Sequence, residues 1–66
     1  MQVTVNGDVR EVAEGTNVVA LLEVLGLHVG AVVVEQNGTA LLRSEVVAAT
    51  LADGDVLELV KAVAGG

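Results

Sequence analysis

The stretch Ala52-Asp53-Gly54-Asp55-Val56-Leu57-Glu58-Leu59-Val60-Lys61-Ala62-Val63-Ala64-Gly65-Gly66 decides how the rest of the chain is read. Asp53-Gly54 is a reversal signal. From Asp55 to Val63 polar and apolar residues alternate in part, which is the pattern of a final strand. Leu57 and Leu59 fall on one face, assigned to the core, and Glu58, Val60 and Ala62 on the other. Val60 beside Ala62 makes an apolar spot, either a partner contact or ordinary surface, since single exposed valines are common. The strand then gives way to Ala64-Gly65-Gly66. Glycine has no Cβ, so such a tail is slender and flexible. Its one reactive group is the α-carboxylate of Gly66, a type of group ionised at neutral pH. Residues 1–63 are therefore expected to form a folded domain that presents residues 64–66 as a tail.

Outward from that strand, the remaining elements follow from local pattern. Gln2 to Asn6 alternates, with Val3 and Val5 on one face. Asn6-Gly7 is a strong hairpin signal, because a tight turn needs positive φ there, and Val9 to Ala13 is the expected returning strand. Thr16 or Asn17 can cap a helix N-terminus. Val18, Leu21, Leu22 and Leu25 then fall at i, i+3, i+4 and i+7, one apolar stripe at helical spacing. Gly26 stands where a left-handed C-terminal cap belongs. A helix this short does not persist alone, so it must bury its stripe against the sheet. Ala31 to Glu35 is a β-branched run whose continuity suggests a central strand with both faces at least partly covered. Asn37-Gly38 is a second hairpin turn, leading to a short strand Ala40-Leu41-Leu42. Ser44 is a candidate cap for a single turn through Val47, a stretch whose period does not decide between helix and strand. The fold class is α+β: a mixed sheet of about five strands with one main helix packed across it.

Composition narrows the function. Sixty-six residues make one domain near the lower size limit for folding alone. There is no cysteine, so no disulfide staples the fold, and no Phe, Tyr or Trp, so the core is aliphatic. A net charge of −6 argues against nucleic acid, which needs clustered Lys and Arg. It fits either plain solvation or steering toward a basic partner. The N-terminus lacks the pattern of a signal peptide, and no apolar run approaches the ~20 residues of a membrane span, so the expected location is cytoplasmic. No phosphate loop, H-E-x-x-H or C-x-x-C motif is present. His28 is a lone histidine, read as a loop residue. Asp53, Asp55 and Glu58 lie close together, but without EF-hand spacing. No metal, no bound cofactor and no catalytic residue is expected, and the chain is not read as an enzyme.

With glycine at about 7% usage, a terminal pair arises by chance in about one chain in 200, so the context of the pair matters more than the pair itself. That context resembles the bacterial sulfur carriers of thiamine biosynthesis, the ThiS family. There an Asp-Gly-Asp turn leads into the last strand and the strand into Gly-Gly, as in Asp53-Gly54-Asp55 and Gly65-Gly66 here. Met1 to Gly7, Leu21-Leu22 and Asn37-Gly38 with Arg43 fit as well, so the resemblance spans the chain. It implies a β-grasp, ubiquitin-like fold. It also implies chemistry at Gly66: a ThiF-like enzyme uses ATP to adenylate this residue, a desulfurase-type sulfur donor converts the adenylate to a thiocarboxylate, and a ThiG-like thiazole synthase takes the sulfur. Ala64, Gly65 and Gly66 would enter the partner's active site, with Val60 and Ala62 on the docking face. Two departures stand out. Leu42 occupies a position where many relatives carry Pro, and Ala64 replaces the Arg that precedes Gly-Gly in ubiquitin. The small subunit of molybdopterin synthase and a ubiquitin-like interaction module are the alternative readings.

Overall fold

Both Asn-Gly pairs close two-residue hairpins. In the computed structural model, which describes residues 1–62, strand β1 (Gln2–Val5) turns back as β2 (Asp8–Glu11), with Val5 opposite Asp8. Asn6 and Gly7 have φ of 49° and 86°. This is the turn whose twist matches that of its strands and that Asn and Gly reach at least cost. The same turn at Asn37 and Gly38 joins β3 (Val32–Gln36) to β4 (Thr39–Ala40). The last strand, β5 (Val56–Lys61), lies between the two hairpins. The sheet order is β2-β1-β5-β3-β4, with β5 parallel to β1 and antiparallel to β3.

Helix α1 (Val18–Val24) starts at Asn17, whose side-chain oxygen accepts the Ala20 N–H at 2.8 Å. Thr16 instead donates its hydroxyl to the Ala13 carbonyl. At the other end Gly26 takes φ 74°. Its N–H reaches the Glu23 carbonyl and the Leu27 N–H reaches that of Leu22, at 3.0 and 2.8 Å. Together these make the paired C-terminal cap that a left-handed glycine permits. Val18, Leu21 and Leu22 are buried, and Leu25 packs at the border. They meet Val3 and Val5 of β1, Val32 and Val34 of β3, and Leu57 and Leu59 of β5 in one aliphatic core, and among the described residues no polar side chain is buried. The expected β-grasp layering, one main helix across a five-stranded mixed sheet, is what the described residues form.

Several local expectations are corrected. The returning strand of the first hairpin begins at Asp8 and ends at Glu11, because the two-residue turn fixes its start. β3 is not covered on both faces: Val33 is 48% exposed, because among the described residues no element packs on that side of the sheet. The central strand is β5. The strand expected at Ala40 to Leu42 is shorter, and Arg43–Ala48 forms a second helix, α2, rather than a single turn capped by Ser44. Its start is set by Glu45, whose carboxylate accepts the Leu42 N–H at 2.7 Å. Leu42 has φ −68° and ψ 158°, values that proline would also adopt, but proline could not donate this hydrogen bond. Val46 buries α2 in the core. A 3-10 turn at Val29–Ala31 precedes β3, where the Arg43 guanidinium lies against Gly30 so closely that a Cβ there would come within 2.6 Å of it. Among the described residues no helix is long and apolar enough to cross a membrane.

Candidate functional site at the end of the central strand

The Asp53-Gly54-Asp55 turn is a clamp. Asp53 accepts the Gln2 N–H and Gly54 donates to the Gln2 carbonyl, both at 2.7 Å. Asp55 takes three donors on its carboxylate: the Asn37 amide at 3.0 Å, the Gln36 amide at 3.0 Å and the Ala52 N–H at 2.8 Å. These bonds, the Asn37 amide foremost, hold its carboxyl below the usual carboxylate range, against the opposing effect of partial burial. The motif thus ties β5 to β1 on one side and to the β3–β4 turn on the other. No group of three metal-ligating side chains gathers here or elsewhere among the described residues. The acids of this turn spend their oxygens on backbone and amide donors.

The parallel pairing of β1 with β5 is short, and side chains extend it. Asn6 uses its amide as a strand residue would use its backbone. It donates to the Leu59 carbonyl at 3.1 Å and accepts the Leu59 N–H at 2.7 Å. On the other flank Asn37 accepts the Val56 N–H on its side chain at 2.8 Å, while its own N–H donates to the Val56 carbonyl at 2.7 Å. From sequence, both asparagines are predictable only as turn residues. A donor-acceptor side chain at a hairpin tip was the one available hint, and its partner lies far along the chain.

Past Lys61 the last described bond runs from the Ala62 N–H to the Ala31 carbonyl at 2.8 Å. Beyond Leu59, where Asn6 bonds from the β1 side, the described part of the strand is held from the β3 side alone. Val63, Ala64, Gly65 and Gly66 lie outside the described residues, so the expected modification residue and slender approach have no described geometry. Val60 and Ala62 are exposed, as the alternation required. The register adds what the alternation could not: Val60, 60% exposed, sits directly opposite Val33, and Glu58 sits directly opposite Glu35. This open face, opposite α1, carries a valine pair beside two like charges. His28 is exposed and stands apart from these residues, before the 3-10 turn.

The sequence profile of the ThiS family matches residues 3–66. The chain belongs to the ThiS family. A crystal structure of the thiamine biosynthesis protein ThiS from Geobacter metallireducens is similar to this ThiS chain at 40% identity, covers 100% of both chains and superposes with a TM-score of 0.83. A solution structure of a thiamine biosynthesis protein from the same organism gives 40% identity and a TM-score of 0.79, covering 100% of this chain and 88% of that one. No curated protein matches significantly. The family is one of small sulfur carriers of thiamine biosynthesis, not of enzymes.

Proposed function

We propose that the chain carries sulfur as a thiocarboxylate on Gly66 and delivers it to a thiazole synthase for the thiazole ring of thiamine. The match to the ThiS family through residue 66 carries this reading. A carboxylate is a poor acyl donor. A ThiF-like enzyme joins it to the α-phosphate of ATP, releasing pyrophosphate and leaving a mixed anhydride with AMP. The terminal sulfur of a persulfide on a desulfurase-type donor attacks the Gly66 carbonyl carbon, the C–O bond to AMP breaks and an acyl disulfide forms. A thiol then attacks the donor's sulfur, the S–S bond breaks, and the thiocarboxylate is released as donor and thiol are left joined in a disulfide. The carrier needs no cofactor of its own for these steps, since the partner binds the ATP.

The geometry supports this division of labour. Residues 1–63 are taken as the body and Ala64-Gly65-Gly66 as the tail. The four residues after Ala62 can span at most about 14 Å when extended, enough to place a carboxyl in a partner's site while the body stays outside. Val60 and Ala62, with Val33 and the Glu35–Glu58 pair, form the proposed docking face. It suits a partner that offers apolar side chains flanked by Arg or Lys, and the cytoplasm is the proposed site of action.

Intact-mass measurement tests the reading. After incubation with ATP, the activating enzyme and a sulfur donor, the expected mass change is one oxygen replaced by sulfur. Neither adenylate nor sulfur gain would overturn it. Co-purification with thiazole synthase, rather than with a molybdopterin synthase large subunit, is the expected pathway result.

A further inference from the structure

Among the described residues the face of the sheet under α1 is covered only in part. Seven residues make α1 about 10 Å long, whereas six-residue β5 runs about 20 Å. Beyond the end of the helix the sheet continues and leaves a half-open cavity of about 340 Å³. Leu25, Leu27, Val32 and Leu59 form its apolar floor, and Arg10 and Lys61 stand on its lining. They are two of only three bases in a chain of net charge −6. Among the described residues Asp8 is the one acid of the lining. Neither base forms an ion pair among the described residues.

The cavity opens beside a free strand edge. Among the described residues β2 pairs only with β1. In an antiparallel ladder, bonded and non-bonded pairs alternate. The two-residue turn makes Val5–Asp8 a bonded pair, so Val3–Arg10 is the next, and the N–H and C=O of Val9 and Glu11 point outward. Asp8 and Arg10, from the same strand, turn their side chains to the cavity.

We infer that cavity and edge are one site, which takes an extended acidic peptide segment of a partner protein. The segment adds to β2 as a sixth strand, bonded to Val9 and Glu11. Its inward side chains alternate along the segment: one apolar side chain fills the floor, and carboxylates on either side of it meet Arg10 and Lys61. Charge selects this place, because the acidic remainder of the surface repels such a segment, whereas a basic one is drawn to Glu35 and Glu58 on the opposite face. The inference uses neither the chemistry proposed for Gly66 nor the face that carries Val33 and Val60, so it would persist if either assignment failed.

The test is a titration of the nitrogen-15-labelled full chain with the blocked peptide acetyl-Thr-Asp-Thr-Leu-Thr-Asp-Thr-amide. The expected result is shift changes at the Val9, Glu11, Leu25 and Leu27 amides, with slowed hydrogen exchange at Val9 and Glu11. Arg10→Glu, at an exposed edge position, should weaken binding by about fivefold or more with an unchanged fold. Raised salt should weaken it as well. Equal binding of the peptide with Lys in place of Asp would overturn the inference, as would shifts centred on Val33 and Val60 or no shifts at millimolar peptide. Shifts at Leu25 and Leu27 without any at Val9 and Glu11, the pattern given by decanoate as a probe, would make this an amphiphile pocket and overturn the peptide reading too.

Discussion

Asn6 and Asn37 each meet two demands. Each tolerates positive φ in a hairpin turn, and each lends its amide to the central strand. Asn6→Gly separates the two, since glycine keeps the turn and deletes only the amide. Loss of two hydrogen bonds to Leu59 should destabilise the fold by about 1–3 kcal/mol, read by denaturant unfolding. A change near zero would mean that water replaces the amide without loss. Asp55 gives a pH signature. Its folded pKa lies below the ordinary 3.8, so the unfolded chain binds its proton first as pH falls. The stabilisation is complete above that ordinary value and is lost as pH drops through the lowered one. Thermal melts of the parent and Asp55→Asn should therefore differ near neutral pH and converge as pH falls below the ordinary carboxylate range. A gap independent of pH would show that shape, not charge, matters at this position.

At the scale of elements, the open face of the sheet carries a conflict. Glu35 and Glu58 are directly opposite and exposed, and like charges so placed destabilise a sheet. Glu58→Lys turns repulsion into attraction, so the variant should melt higher, by a free energy of about 0.2–1 kcal/mol. If the face docks on a basic partner, the same change should raise the KM for the carrier in the activation assay. Higher stability with unchanged KM would remove Glu58 from the docking face. Neither partner of this pair was legible as a partner from sequence. Alternation placed Glu58 and Val60 outward because period two is local, but the facing residues on β3 depend on a register set by distant turns. The hairpins and α1 were legible because Asn-Gly, an Asn cap, the Leu stripe and Gly26 act within a few residues. α2 was not. Its start depends on Glu45 reaching back to Leu42, and its only buried residue is Val46, so no stripe announced it. β3 read as covered because three consecutive valines resemble a two-sided burial that the described residues do not provide.

At the scale of the molecule, the buried core and the proposed chemistry fall at different points along the chain. The buried core runs from Val3 to Leu59, and the last described backbone bond is at Ala62. The proposed reaction sits four residues farther on. The proposed activation requires a free carboxyl on Gly66, and the proposed narrow approach requires that Gly65 carry no side chain. Neither requirement is one the core imposes. Appending one alanine after Gly66 should therefore abolish adenylate formation, because the reacting carboxyl moves one residue onward and Gly66 becomes an internal amide. Its melting temperature should match the parent within about 1 °C, since changes away from packed, capped or paired groups are worth only a few tenths of a kcal/mol. Gly65→Val should likewise lose activation and keep the melt. A marked fall in melting temperature in either variant would mean that the folded body holds the tail as part of its structure, and the division between carrier body and reactive end would be wrong.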